Sequence, residues 1–157
     1  MRVRELLTPE RTHFNIEGVS KKRLFDQVAG LVAGSCPNLD EQSIFDALIG
    51  RERLGSTGIG EGIAIPHCRL ASCEKPTGML LRLQEAIDFD SVDARPVDLV
   101  FVLLVPEQNP EQHLKTLSHL AALFNEPSFR DDLRRSTSAE DLYKRAVDSE
   151  AELQVAS

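Results

Sequence analysis

Apolar residues recur along the chain with a helical period in some segments and form short continuous runs in others. Two early segments carry apolar residues three and four positions apart, the spacing that buries one face of an α-helix. Ser20 and Asp40 precede these segments as N-caps, so we predict helices at about 21–33 and 41–53. The apolar residues on their predicted buried faces are Leu24, Val28, Leu31, Val32, Ile44, Phe45, Leu48 and Ile49.

The middle of the chain contains short apolar segments that predict β-strands. Residues 13–16, 63–65 and 78–83 form such segments, and residues 86–89 are a further candidate. The run at 97–105 is apolar at nearly every position. A strand with two apolar faces is typical of the centre of a sheet that carries helices on both sides.

Three helices are predicted after the last strand. Asn109 and Pro110 match an N-cap and a first-turn proline, and a glutamine at the third helical position completes a capping box, so the first helix runs to about residue 124. The other two are predicted at 127–134 and 139–147. The apolar residues expected on the buried face of the first of these helices are Leu114, Leu117, Leu120, Ala121 and Phe124.

Helices before, between and after the strands predict a single α/β domain. The order is not the strict alternation of strand and helix that builds a parallel sheet. We therefore expect a three-layer sandwich, in which a mixed β-sheet is flanked by helices on both faces. The domain is expected to cover residues 1–150, and the small polar segment 151–157 is expected to be a frayed tail.

Composition narrows the class of protein. The chain has 157 residues, of which 41% are hydrophobic and 27% are charged, an ordinary balance for a soluble protein. Its formal net charge of −7 disfavours nucleic acid and suits a basic protein partner. No apolar run approaches the roughly 20 residues of a membrane span, and the N-terminus lacks the apolar segment of a secretory signal. We expect a cytoplasmic protein without stable membrane insertion; its oligomeric state is left open.

The cysteines indicate neither a disulfide framework nor a metal site. Cys36, Cys68 and Cys73 are odd in number and irregular in spacing, which fits a reducing compartment. His67 beside Cys68 lacks the paired ligand spacing typical of zinc sites, so no metal is expected. A thiolate nucleophile at Cys68 is an alternative, although no second base stands at a useful spacing.

The segment from Arg51 to His67 is the strongest candidate for chemistry. Four glycines lie within it, and a glycine-rich loop can aim several backbone N–H groups at one anion. The segment lacks the Gly-Lys-Ser/Thr ending of a P-loop, and a strand follows where a dinucleotide fingerprint requires a helix. We expect a phosphate-binding loop that includes Gly58, Gly60 and Gly62, and no nucleotide cofactor.

Two histidines and one arginine are candidates for phosphoryl chemistry. His67 follows a predicted strand, at the kind of position where sites in α/β sheets usually lie. His113 lies in the first turns of the helix after Asn109, where the helix dipole favours an anion. Arg51 offers a planar fork that matches phosphate oxygens. From the residues alone, structural roles for the histidines and a dipole-stabilising role for the arginine stay open.

Four segments of the chain resemble one known protein family. They are residues 51–60, 63–67, 101–107 and 112–117, with the sequences RERLGSTGIG, IAIPH, FVLLVPE and QHLKTL. These segments resemble the phosphotransferase-system IIA components of the fructose/mannitol class, and within that class the nitrogen-regulatory subtype. The resemblance covers almost the whole chain, and its signature is long.

The resemblance implies a bacterial phosphotransferase component with a mixed α/β sandwich fold. It implies that His67 accepts a phosphoryl group on Nε2 from an HPr-like phosphocarrier. His113 corresponds to the second active-site histidine and Arg51 to the arginine near the phosphate. In the nitrogen-regulatory subtype the phosphorylation state controls regulatory target proteins. In-line transfer between histidines needs positioning and charge stabilisation, and no metal or other cofactor is implied.

Three functions are therefore compared. The first is a phosphocarrier with a regulatory output. The second is a sugar-specific IIA component that passes its phosphoryl group to a separate membrane permease. The third is a binding module that senses an anion and carries no covalent phosphate. The first two share the same chemistry and differ only in their partners.

Overall fold

The computed structural model describes residues 1–18 and 20–156. Its helices are α1 (Val3–Leu6), α2 (Lys21–Ser35), α3 (Glu41–Arg53), α4 (Pro110–Phe124), α5 (Pro127–Arg134) and α6 (Ala139–Ala156), and a 3-10 turn covers Pro9–Arg11. Its strands are β1 (Thr12–Ile16), β2 (Gly58–Gly60), β3 (Ile63–Ala64), β4 (His67–Arg69), β5 (Thr77–Ile87) and β6 (Val97–Val105).

The strands form one mixed sheet in the order β1-β5-β6-β3-β2, and β4 pairs with the C-terminal end of β6. Strand β6 is antiparallel to β5 and parallel to β3 and β4. At the two edges of the sheet, β1 is parallel to β5 and β2 is antiparallel to β3. The predicted mixed sheet is confirmed.

Alternate side chains of β6 enter two separate cores, because successive residues of a strand point to opposite faces. Phe101 and Leu103 pack with residues of α1, α4, α5 and α6. Val102 and Leu104 pack with residues of α2 and α3. Helices therefore cover both faces of the sheet, which confirms the three-layer sandwich and explains why this strand is apolar at nearly every position.

Most predicted elements are confirmed with small shifts at their ends. Helices α3 and α5 and strand β6 have the predicted bounds. The side chain of Ser20 caps α2 as predicted, accepting the backbone N–H of Arg23 at 3.2 Å. Strand β5 joins two segments that were predicted as separate strands. The sequence pattern does not indicate β2 or β4, because strands this short show no alternation.

Helix α6 continues to Ala156, beyond its predicted end at Val147, so the segment predicted as a frayed tail is helical as far as Ala156. Buried Glu150 ties this helix to α1 and α4. One carboxylate oxygen accepts the backbone N–H of Val3 at 2.9 Å, and the other lies 2.7 Å from Nε2 of His119. Neither α6 nor any other helix in the described residues has the length and apolar character needed to cross a membrane.

The start of α4 is predicted correctly, but its cap is not. Asn109 has a left-handed backbone with φ of 59°, and its side chain makes no capping hydrogen bond. The chain reverses sharply there, and Pro110 begins the helix. Leu114 was expected to be buried and is 66% exposed, because it lies over a cavity rather than over the core.

Candidate functional site

His67 is the first residue of β4, which the central strand β6 holds in parallel register. The backbone N–H of Leu103 donates to the carbonyl of Pro66 at 2.9 Å, and His67 lies opposite Leu103. His67 follows a strand as expected, since β3 ends at Ala64, and it also begins a short strand that was not predicted. Since neighbours across a sheet share a face, its ring lies on the α4 side of the sheet.

The two ring nitrogens of His67 have different partners. Nδ1 lies 2.8 Å from the carbonyl oxygen of Ile65, and a carbonyl can only accept, so Nδ1 carries the proton. Nε2 then has a free lone pair, and it accepts a hydrogen bond from Nε of Arg51 at 3.2 Å. The backbone thus selects the tautomer in which Nε2 is available as a nucleophile.

Arg51 reaches His67 from the last turn of α3. Its Nη1 also donates to the carbonyl of Gly55 at 2.8 Å. The next residue, Glu52, holds the chain around it: its carboxylate accepts the hydroxyl of Thr57 at 2.6 Å and pairs with Nζ of Lys21 at 3.0 Å. These contacts fix the end of the helix and the loop that follows, so the guanidinium is held at the ring.

His113 lies in α4 with only 7% of its surface exposed. Its Nε2 lies 2.5 Å from the carbonyl of Gln108, so Nε2 is the protonated nitrogen. The reversal at Asn109 brings that carbonyl back toward the helix. Nδ1 is buried and has no hydrogen-bond partner. A buried polar atom without a partner is unusual and calls for an explanation.

A cavity of about 250 Å³ brings the three candidates together. Arg51, His67 and His113 line it, as the sequence led us to expect, and exposed Leu114 lies at its rim. A cavity with two imidazoles and a guanidinium matches an anion whose charge is spread over several oxygens. Within the described residues, no group of three His, Cys, Asp or Glu side chains is placed to hold a metal ion.

Arg69 also lines this cavity, although the sequence pattern did not identify it. Side chains two positions apart on a strand share a face, so Arg69 follows His67 on the same side of β4. The signal would have been the spacing of these two residues. It could not be used, because the predicted strand ended at residue 65, before both of them.

The three glycines of the predicted phosphate-binding loop do not line this cavity. A Cβ on Gly58 would meet the Ser91 hydroxyl, and one on Gly62 would meet Arg134 Nη2 and come within 2.9 Å of an Asp98 carboxylate oxygen. Gly60 and Gly62 also have positive φ angles of 100° and 78°. The glycines are thus explained by close packing and turn geometry, and the loop N–H expectation has no support in the geometry.

Cys68 points away from His67 into the core formed with α2 and α3. Burial, with a smaller effect from Cys73, raises the pKa of the Cys68 thiol to about 12. A thiol with that pKa contains almost no thiolate at neutral pH, and the thiolate is the nucleophile. Burial and the raised pKa therefore disfavour the alternative in which Cys68 acts as the nucleophile, although Cys68 is among the residues that line the cavity.

His67 is expected to remain neutral at lower pH than an exposed histidine. Burial of the ring is the main cause and lowers the pKa of His67 below its ordinary 6.5; the Ile65 carbonyl opposes this, and the charge of Arg51 adds to it. The unfolded chain then binds more protons below pH 6.5, so the contribution of His67 to stability declines as the pH falls through this range.

An NMR titration of the His67 ring protons checks this expectation. We expect a midpoint below 6.5 in the unmodified protein and a higher midpoint in Arg51→Ala, because the neighbouring positive charge is removed. A midpoint at or above 6.5 in the unmodified protein would show that the ring is more hydrated than the structure indicates.

Sequence comparison gives two related findings. Residues 5–146 match the family described as "Phosphoenolpyruvate-dependent sugar phosphotransferase system, EIIA 2". The chain is 50% identical over 148 residues to a nitrogen regulatory protein of Pseudomonas aeruginosa, covering 94% of this chain and 96% of that protein.

Comparison with solved structures agrees with the two sequence findings. The crystal structure of nitrogen regulatory protein IIA-Ntr from Neisseria meningitidis superimposes with a TM-score of 0.83 at 40% identity, over 90% of this chain and 97% of that one. IIA mannitol from Escherichia coli superimposes with a TM-score of 0.72 over 89% of this chain and 98% of that one, and at 18% identity this shows the shared fold alone.

Proposed function

The chain belongs to the EIIA 2 family of the phosphoenolpyruvate-dependent sugar phosphotransferase system, and on that premise we propose that it is a regulatory phosphocarrier that accepts a phosphoryl group on Nε2 of His67. The observation that carries this proposal is the lone pair of Nε2, which faces a cavity lined by Arg51 and His113. We further propose an HPr-like phosphocarrier as the donor, as the resemblance implies.

The geometry supports a simple transfer step. The Nε2 lone pair attacks phosphorus in line, the new N–P bond forms, and the electron pair of the donor's N–P bond stays on the donor nitrogen. Nδ1 keeps its proton and continues to donate to the Ile65 carbonyl. That carbonyl stabilises the positive charge that the ring gains when Nε2 bonds to phosphorus.

Arg51 has two roles in this step. In the resting protein its Nε donates to the lone pair that must attack, so this contact has to break as the phosphoryl group arrives. The bond from Nη1 to the Gly55 carbonyl can persist and keep the guanidinium beside the ring. The freed N–H then faces the phosphoryl oxygens, where a charge-assisted hydrogen bond is strongest.

His113 supplies the opposite wall of the cavity. With Nε2 committed to the Gln108 carbonyl, Nδ1 is the ring nitrogen left to interact with the phosphoryl group, although it is buried in the resting protein. Because neutral Nδ1 is an acceptor, we propose that a proton is taken up from solvent with the phosphoryl group and shared between Nδ1 and a phosphoryl oxygen.

The proposed output is a change of protein partner. A phosphohistidine adds close to two negative charges at the mouth of the cavity, next to exposed Leu114. Such a change is large enough to switch a protein contact at this surface. The high identity to a nitrogen regulatory protein favours regulatory target proteins over a sugar permease as the partners.

Labelling the unmodified protein tests the proposal. The full chain is incubated with labelled phosphoenolpyruvate, the first enzyme of the system and an HPr-like carrier. We expect a protein-bound phosphate that is labile in acid and stable in base. Absence of label would favour the anion-sensing module, and rapid transfer onward to a sugar-specific acceptor component would favour the sugar-specific reading.

A further inference from the structure

Arg69 is placed beside His67 by the backbone of β4. The strand pairs with β6 so that His67 lies opposite Leu103 and Arg69 lies opposite Val105. Both side chains are on the cavity face, and Cys68 between them enters the core. Two residues of strand separate their Cα atoms by about 7 Å, a distance that a long arginine side chain spans easily. The position of the guanidinium relative to the ring is thus set by a strand rather than by a loop.

The guanidinium of Arg69 is exposed and available to a ligand. Within the part of the chain that the structure describes, it makes no hydrogen bond or ion pair. Arg51 differs, because its Nε and Nη1 already have partners in the resting protein. Arg69 can therefore bind a new anion without breaking an existing contact.

A phosphoryl group on Nε2 presents more charge than one arginine balances. It carries close to two negative charges on three oxygens. Arg51 supplies one fixed positive charge, and the half-buried ring leaves the group only partly solvated. A second arginine at the rim would balance the remaining charge and reach an oxygen on the side away from α3.

We propose that Arg69 is a second phosphate-binding arginine, which donates hydrogen bonds to the phosphoryl oxygens during transfer and in the phosphohistidine. This inference rests on the proposed phosphorylation of His67. No bond to phosphorus forms or breaks at Arg69, since its part is to stabilise negative charge.

Two phosphoryl donors show whether Arg69 binds the phosphoryl group or instead helps a donor protein to dock. Phosphoramidate is a small donor that makes no protein interface, and the HPr-like carrier is a protein donor. The rate of His67 phosphorylation and the half-life of the phosphohistidine are measured for the full-length unmodified chain, Arg69→Gln, Arg69→Lys and Arg53→Gln. Arg53 is the matched control, because it is also an exposed arginine near the site but does not line the cavity.

We expect Arg69→Gln to slow phosphorylation by either donor about tenfold, the loss expected for one charge-assisted hydrogen bond at a partly exposed position. Arg69→Lys should recover part of the rate, because the positive charge remains. Recovery should be incomplete, because lysine lacks the planar guanidinium that donates two parallel hydrogen bonds. Arg53→Gln should behave as the unmodified protein. Among these variants, only those at Arg69 should change the half-life of the phosphohistidine.

Two results would overturn the proposal. Arg69→Gln could match the unmodified protein with both donors, or it could be slow with the protein donor only, which would make Arg69 a docking residue. If the unmodified chain takes up no phosphoryl group from either donor, the proposed function fails, and this inference fails with it. Circular dichroism spectra of the variants confirm that the rates compare folded proteins.

Discussion

His67→Ala is expected to reduce phosphorylation of the chain to background with every donor. The substitution removes Nε2 of His67, the proposed acceptor atom, which carries a lone pair on a ring that lines the cavity. His113 cannot replace it, because its Nε2 is held by the Gln108 carbonyl and its Nδ1 is buried. Cys68 cannot replace it, because its thiol faces the core and its pKa is raised to about 12.

His13→Ala is the matched control for this loss. His13 lies on β1, away from the residues that line the cavity. This variant is expected to be labelled at the rate of the unmodified protein. Label that persists in His67→Ala would place the acceptor at another residue and contradict the site proposed above.

Two further variants show whether a side chain accepts the phosphoryl group or only stabilises its negative charge. Arg51→Ala and His113→Ala keep the proposed nucleophile and remove side chains that line the cavity and are proposed to contact the phosphoryl oxygens. Each is expected to slow labelling by about tenfold to a hundredfold without abolishing it. Unchanged rates in both would remove these side chains from the proposed mechanism.

Phe101→Ala is expected to lower the free energy of unfolding by about 3–5 kcal/mol, the usual loss when a buried phenylalanine is truncated. Phe101 is 1% exposed and meets Phe124 edge to face at 6.0 Å between ring centroids. It also packs on Gly78 of the neighbouring strand, where a Cβ would come within 2.7 Å of its ring. Collapse of the surrounding side chains cannot fill a space enclosed by two strands and a helix.

Urea unfolding measures this change, and Phe14→Ala is the control. Phe14 lies half-buried on β1 beside Arg82, so its truncation is expected to lower the free energy of unfolding by about 1 kcal/mol. Equal losses in the two variants would contradict the assignment of Phe101 to the closed core. Because β6 also holds β4 in register, labelling of His67 in folded Phe101→Ala shows whether core packing affects the site.

The elements were predictable where one local pattern determined them. Asp40 caps α3 through the backbone N–H of Ser43, and the bounds of this helix match the prediction. The nearly continuous apolar run of β6 predicted helices on both faces, and the two cores confirm that prediction. In both cases the residues that allowed the prediction lie within the same helical turn or the same strand as the feature predicted.

Predictions failed where an unusual backbone conformation or a contact distant in the chain decides the structure. Asn109 looks like a side-chain cap, yet it is a left-handed residue that turns the Gln108 carbonyl toward His113. The end of α6 depends on Glu150, whose partners lie in α1 and α4. Spacing along the sequence carries no information about such partners.

By itself, the sequence determined most of the helices and longer strands, the three-layer class, the family resemblance and the candidates His67, His113 and Arg51. Only the tertiary structure decided which nitrogen of each histidine is free, since that depends on the carbonyl facing the other nitrogen. It also placed Arg69 in the cavity and gave the glycines a packing role. Periodicity records which face of an element is buried, but it does not record the backbone angles that turn a nearby carbonyl toward a ring nitrogen. Close contacts such as that of Gly62 with Arg134 arise only when distant segments meet.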